Sequence, residues 1–127
     1  MIKELIDLQK NSKATCAIIK NEDITNLSPS ISMKAKVSDK FLFSGNKPPF
    51  ADKINDISRL NDICYFIIMG IDDVSTEEQN RYVGLIKDRE MNGYFLPNNC
   101  IIVLTVKNKD SLRKVSAELN HFAVVAI

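Results

Sequence analysis

The sequence predicts a single α/β domain over residues 1–127, with three layers and a mostly parallel sheet of about four strands between flanking helices. Two runs, ICYFIIM at residues 63–69 and CIIVLTV at 100–106, are continuously apolar and lack the alternation of a strand with one wet face. Each is therefore predicted to be a strand covered on both faces. Predicted strands and helices alternate along the chain, which favours parallel strands joined by right-handed crossovers.

Three further elements are predicted before the first of these runs. Apolar residues at helical spacing indicate a helix over residues 1–11 and a short amphipathic helix over 51–60. Between them, the run ATCAIIK at residues 14–20 is short, apolar and partly β-branched, as expected of a buried strand. The helix over 51–60 should direct three side chains toward the core: Ile54, Ile57 and Leu60.

The pattern is interrupted over residues 21–50, where turn-forming residues are frequent. Pro29 indicates a turn, residues 33–37 alternate weakly, and residues 41–43 form a local apolar patch. Glycine and two prolines make residues 45–49 a predicted loop.

A strong helix start follows the run at 63–69. Ser75 is placed to cap the first turn of a helix over residues 76–89, and Glu78 is placed to reach back to the N–H of the cap residue. Gly84 weakens this helix by up to ~1 kcal/mol relative to alanine. The segment over 91–97 contains Gly and Pro and is predicted to be a tight turn or hairpin.

The chain is predicted to close with a helix and a strand. Asp110 or Ser111 should cap a helix that runs to Leu119, with Leu112, Val115 and Leu119 on its inner face. Residues 122–127 are predicted to form the last strand.

Composition limits the function more than it defines it. The chain is 45% hydrophobic and 26% charged, with a net charge of +1, so charge gives no general attraction to nucleic acid or to anionic membranes. No apolar run approaches the ~20 residues of a membrane helix, and no membrane partner is expected. Three cysteines without a CxxC pair make a disulfide framework or zinc site improbable, so we expect a cytoplasmic protein.

A set of short motifs in the second half of the chain resembles the MoxR-type branch of the AAA+ ATPases. The shared features, in the same order and at similar spacing, are Ser75, Glu77, Gln79 and Asn80, the run Asp88-Arg89-Glu90, then Gly93-Tyr94, Leu96-Pro97 and the strand over 101–105. The resemblance covers about residues 62–122. It implies a reduced P-loop NTPase-like core.

The departures from that family concern the parts that phosphoryl transfer depends on. The phosphate loop, GxxxxGK[ST], is absent. When Gln79 is aligned, Met69 and Gly70 replace the acidic pair that holds magnesium, and the sensor asparagine and arginine finger fall near Lys107 and His121. The resemblance therefore implies no ATPase chemistry, and no cofactor is expected.

The resemblance also implies a gap in the sheet. In the family, the strand that bears the phosphate loop lies between the sensor strand and the last strand. Residues 14–20 are matched, faintly, to the family's second strand, and the chain begins about where the helix after the phosphate loop would already be under way, so that neighbour is expected to be missing. Residues 122–127 should then pair with 100–106, or one strand edge should remain open.

Four residues are weak candidates for a ligand crevice. Asp72 and Asp73 follow the central strand, at the end where open α/β sheets bind ligands, and a shifted alignment would make them the acidic pair. Lys107 and His121 fall at the family's sensor and finger positions. The alternative interpretation is structural: the two acids favour the dipole of the next helix, and His121 is a surface histidine without a catalytic partner. No catalytic or metal-binding residue is assigned.

Cys16, Cys64 and Cys100 fall at the starts of three predicted strands and are expected to lie close together. Buried free thiols are the expected state, with a redox pair or metal ligands as the alternative. These positions are at the end of a parallel sheet opposite its usual ligand crevice.

Residues 34–53 carry lysines among phenylalanines, a combination that binds single-stranded nucleic acid in other proteins. The residues concerned are Lys34, Lys36, Lys40, Lys47 and Lys53, with Phe41, Phe43 and Phe50. The alternative is a solvated loop with its aromatic side chains packed inward.

We therefore expect a non-catalytic interaction or regulatory protein derived from an AAA+ core, which docks on an AAA+ partner or associates with itself through a sheet edge. A nucleic-acid module that uses residues 34–53 is one alternative. Another is a fragment of a true ATPase whose phosphate loop lies elsewhere.

Overall fold

The computed structural model of the chain describes residues 15–37, 50–91 and 93–127. Five parallel strands form one sheet in the order β2-β3-β6-β1-β7, and a two-stranded antiparallel hairpin, β4-β5, stands apart from it. The strands are β1 (Cys16–Lys20), β2 (Ser30–Lys34), β3 (Cys64–Met69), β4 (Glu90–Met91), β5 (Tyr94–Phe95), β6 (Cys100–Val106) and β7 (Ala123–Val125). The predicted α/β class and parallel sheet are confirmed, with five strands where about four were expected.

The position of β1 corrects the predicted gap in the sheet. β1 lies between β6 and β7, so β7 pairs with β1 and not with β6. The second strand in chain order is β2, which lies at the far edge beside β3. Strand neighbours depend on crossovers between distant parts of the chain, and local apolar patterns do not encode them.

Two hydrophobic clusters lie on opposite faces of the sheet, because side chains alternate along each strand. The α-helices cover one face: α1 (Ala51–Leu60), α2 (Thr76–Asn80), α3 (Val83–Asp88) and α4 (Ala117–His121). On the other face, the described residues that pack on the strands include Ile24 and Leu27, from the segment that joins β1 to β2. Most of this segment is a 3-10 helix, Asn21–Asn26.

The prediction of one continuous helix over residues 76–89 is wrong, because the chain forms two shorter helices there. Backbone bonds from Arg81 to Glu78 and from Tyr82 to Gln79 tighten the chain into a turn that separates α2 from α3. Tyr82 is buried and its hydroxyl donates to the backbone oxygen of Ala35, at 2.8 Å. The predicted cap is confirmed, since Ser75 Oγ accepts from the N–H of Glu78. The Glu78 carboxylate contacts Ser75 Oγ, at 3.3 Å, where a bond to the backbone N–H was expected.

The predicted helix that ends at Leu119 is also divided. A 3-10 helix, Lys109–Lys114, is followed by α4, and Asn108 caps the first of these where Asp110 or Ser111 was expected. Ser116 caps α4 by accepting from the N–H of Leu119. Leu119 is buried, as predicted.

Helix α1 and the hairpin agree with the prediction except at Leu60, which is 82% exposed. Each residue of a helix turns by 100°, so a side chain six positions after Ile54 lies about 120° away around the axis. Spacing by three therefore carries Leu60 off the buried face. Gly93 has a φ of 84° and supplies the left-handed turn of the hairpin.

Some predictions lie outside the described residues. They are the helix over residues 1–11, the patch over 41–43 and the loop over 45–49.

Candidate functional site

The carboxyl ends of β1, β3 and β6 meet at one edge of the sheet, where open α/β folds bind ligands. Asn21 follows β1, Gly70 follows β3 and Lys107 follows β6. Gly70 has a φ of 75°, which turns the chain sharply into a 3-10 helix, Ile71–Asp73. Two of the predicted candidates, Asp72 and Lys107, are in direct contact here.

The centre of this edge is a polar junction around Thr105. Its hydroxyl donates to Asn21 Oδ1 and accepts from the N–H of Gly70, at 3.0 Å. Thr105 is fully buried, so these two bonds satisfy a group that would otherwise be costly inside the sheet. The junction joins the ends of three strands, and it uses the Gly70 N–H that a bound anion would need.

Neither Thr105 nor Asn21 is among the residues predicted from the sequence. The available signal was a single polar residue within the apolar run at 100–106, one position before its end. A buried hydroxyl requires a partner, but the sequence does not show which one.

Asp72 lies beside this junction and is half-buried. Its Oδ2 accepts from the backbone N–H of Lys107, at 3.2 Å, whereas its Oδ1 is buried and has no hydrogen-bond partner among the described residues. Asp73 is exposed, and its own N–H donates to the backbone oxygen of Gly70, at 2.9 Å. The Asp72 contact therefore ties the end of β3 to the end of β6.

Four acidic residues lie at these strand ends, together with Lys20 and Lys107. Glu22 and Asp23 occupy the first turn of the 3-10 helix after β1, and Asp72 and Asp73 follow β3. Lys20 pairs with Glu22 at 3.1 Å. Within residues 15–37, 50–91 and 93–127, no group of three or more His, Cys, Asp or Glu residues is arranged to hold a metal ion.

His121 is not part of this edge. It is exposed at the end of α4, immediately before β7, and its ring meets the Phe122 ring edge-on at 5.0 Å. A shallow depression of about 370 Å³ lies beside it, lined by Val83, Lys87, Ala117, Glu118, His121 and Phe122. This lining contains no Ser, Thr or Cys side chain from which His121 could take a proton.

The three cysteines start β1, β3 and β6, and all three are buried and free, as predicted. Cys64 and Cys100 are partners in register, whereas Cys16 lies opposite Ile102. Burial raises the pKa of Cys16 to about 12. A hydrogen bond between the other two thiols lowers the pKa of Cys64 and raises that of Cys100.

The lysine and phenylalanine segment is only partly described. Lys34, Lys36 and Lys53 are exposed. Phe50 stacks on Phe66 in the core, with ring centroids 4.5 Å apart, so it is not available to stack on a base. Four residues lie outside the described part of the chain: Lys40, Phe41, Phe43 and Lys47.

The sequence matches no protein-family model, and no curated protein matches it. Among the residues that the structure describes, none of the helices has the length and apolar character needed to cross a membrane.

Proposed function

We propose that this chain is a non-catalytic interaction protein, derived from an AAA+ ATPase core, that docks on an AAA+ ATPase or on a second copy of itself through the β7 edge. The observation that carries the proposal is the segment that follows β1. β1 occupies the place between β6 and β7 where the family has the strand that bears its phosphate loop. The segment after it contains no glycine and forms the 3-10 helix Asn21–Asn26.

The segment after β1 is unsuited to binding phosphate. Phosphate-binding loops present successive backbone N–H groups and a lysine to the phosphates. Here Glu22 and Asp23 bring negative charge to the same place, and Asn21 is held by Thr105. The place between β6 and β7 is occupied, which also removes the reason to expect a strand from another chain there.

The β7 edge supports docking because it is apolar and uncharged. β7 bonds to β1 on one side, and the backbone N–H of Ala126 continues that contact to Ile18, at 2.9 Å. Val125 is 43% exposed and Ile127 is 38% exposed. An apolar strand at the end of a sheet is a template for pairing with another chain.

The opposite edge, β2, has the features that discourage such pairing. Its exposed side chains are Ser30, Ser32 and Lys34, and lysine on an edge strand is a common protection against association. The two edges therefore differ in polarity, and β7 is the one suited to a partner.

The docking test compares the wild type with Val125→Lys, and Ser32→Lys serves as a control that places the same charge on the other edge. For the wild type and Ser32→Lys, we expect either a sedimentation mass that rises with concentration or capture of an AAA+ ATPase from host lysate by the tagged chain. We expect neither result for Val125→Lys. Magnesium-ATP should leave the melting temperature of the wild type unchanged.

Two results would contradict the proposal. One is a wild-type chain that stays monomeric at high concentration and captures no AAA+ ATPase. The other is a rise in melting temperature with magnesium-ATP, because a ligand that binds the native state stabilises it.

The proposal includes a cytoplasmic location. Its support is the presence of three free cysteines, since thiols persist in reducing compartments.

A further inference from the structure

We propose that Cys64 and Cys100 are a thiol oxidation site, at which hydrogen peroxide or a related hydroperoxide produces a reversible disulfide between β3 and β6. The two thiols lie away from the β7 edge on which the proposed function depends. They are at the end of the sheet where the parallel strands begin, opposite the junction around Thr105.

The geometry of the two strands brings these thiols together. Cys64 is the first residue of β3, Cys100 is the first residue of β6, and the two are opposite each other in register. Neighbouring strands lie about 4.8 Å apart. That spacing falls within the range of about 4.4–6.8 Å between Cα atoms that disulfides accept. Both side chains lie on the helix-covered face, in the same hydrophobic cluster.

The surroundings make the two thiols unequal. Arg89 ends α3 in a left-handed conformation with a φ of 57°, and its guanidinium donates to the backbone oxygens of Pro97 and Cys100. A hydrogen bond from Cys100 lowers the pKa of Cys64, burial opposes this, and the positive charge of Arg89 adds to the lowering.

The reaction balances with peroxide as the only oxidant. The thiolate of one of the two cysteines attacks one peroxide oxygen, an S–O bond forms, the O–O bond breaks, and the departing hydroxide takes up a proton to give water. The sulfur of the other cysteine then attacks the sulfenic sulfur, an S–S bond forms, and the second oxygen leaves as water with the proton of that second thiol. Two thiols lose two electrons, and one peroxide becomes two waters.

Both thiols are buried, Cys64 at 0% and Cys100 at 1% exposure, so oxidation requires local opening of the end of the sheet where the parallel strands begin. Cys16 supplies an internal comparison, because it is equally buried at 0% exposure but has no thiol partner in register. A reaction through global unfolding would expose all three cysteines alike. A reaction at the proposed site would spare Cys16.

The experiment treats the native wild type with hydrogen peroxide and follows free thiols, intact mass and peptide maps. We expect free thiols to fall from three to one, a mass loss of two hydrogens, a cross-linked peptide pair with Cys64 and Cys100, and recovery with dithiothreitol. Cys16→Ser should form the same link, and Cys64→Ser and Cys100→Ser should not.

Equal oxidation of all three cysteines in the wild type would overturn the proposal. So would a native protein that keeps three free thiols under peroxide while a urea-unfolded sample is oxidised. Both results come from the wild type, so they hold even if a serine variant fails to fold.

Discussion

Gln79 shows how a single buried side chain divides two helices that local patterns predict to be continuous. Its Nε2 donates to the backbone oxygens of Val74 and Lys114, at 3.0 and 2.8 Å, and its Oε1 accepts from the N–H of Ser116, at 2.6 Å. It is 1% exposed, so each of these bonds satisfies a group removed from water. The side chain joins the start of α2 to the break before α4.

We expect Gln79→Leu to lower the free energy of unfolding by about 3 kcal/mol, because leucine fills a similar volume but leaves two carbonyls and one N–H without their partner. Urea unfolding monitored by circular dichroism would measure this. Glu77→Ala on the same helix is the control, since Glu77 is exposed and its replacement should change stability by less than about 0.5 kcal/mol. Equal stability of Gln79→Leu and wild type would show that the three bonds contribute nothing.

At the scale of elements, local signals predict where structure begins better than where it is interrupted. The Ser75 cap was predicted because a cap acts on N–H groups three residues away. The breaks after Asn80 and after Lys114 were not predicted, because they accompany contacts such as that of Gln79 with Ser116, 37 positions apart. Helix propensity is a weak preference that such tertiary contacts override.

Two glycines in the described elements should respond in opposite ways to alanine. Gly84 lies in α3, and a Cβ there would meet nothing within 4 Å, so Gly84→Ala should raise the free energy of unfolding by about 0.5–1 kcal/mol. Gly70 has a φ of 75°, and a Cβ there would lie 3.1 Å from Asp73 Oδ2, so Gly70→Ala should lower it by about 1–2 kcal/mol.

Thermal or urea unfolding of both variants beside wild type would check the pair, and each variant is the other's control for a glycine-to-alanine change. Destabilisation by Gly84→Ala, or a neutral Gly70→Ala, would contradict the backbone assignment at that position.

For the whole molecule, the sequence was sufficient to predict the fold class, the buried strands β3 and β6 and the burial of the three cysteines. The same apolar patterns did not reveal that β1 lies between β6 and β7 and that β2 lies at an edge, because a strand's neighbours depend on crossovers. At the carboxyl edge, the predicted Asp72 and Lys107 are in contact. His121 directly precedes the last strand, so the predicted parallel sheet already placed it at the opposite ends of the strands, and only the resemblance made it a candidate.

Because several titratable groups are buried, the free energy of unfolding of the protein should depend on pH in the alkaline range. Burial raises the pKa of Cys16 from 9.0 to about 12 and that of Tyr94 from 10.0 to about 12. Between pH 9 and 12 the unfolded chain releases protons that the native state retains, so the free energy of unfolding falls as the pH rises. The lowered pKa of Cys64 changes the free energy of unfolding only at lower pH. Above about pH 9 the Cys64 thiol is ionised in the unfolded chain as well as in the native state.

We expect stability to start falling near pH 9, by up to about 1.4 kcal/mol per pH unit for each group that remains protonated in the native state. Urea unfolding at several pH values between 8 and 11 would measure the slope. In Cys16→Ala the slope should be smaller above pH 9, whatever the stability of the variant at pH 7. A wild-type stability that stays constant from pH 8 to pH 11 would contradict this.

The place of β1 between β6 and β7 also constrains how the protein is made. Its two neighbours in the sheet come from the far end of the chain, as the contacts of Asn21 with Thr105, 84 positions apart, and of Cys16 with Phe122, 106 positions apart, illustrate. During synthesis β1 leaves the ribosome long before either neighbour exists, and its apolar side chains must remain uncovered or be held by chaperones until then. The sheet can close only after residues 100–125 have been made, so folding should be slow.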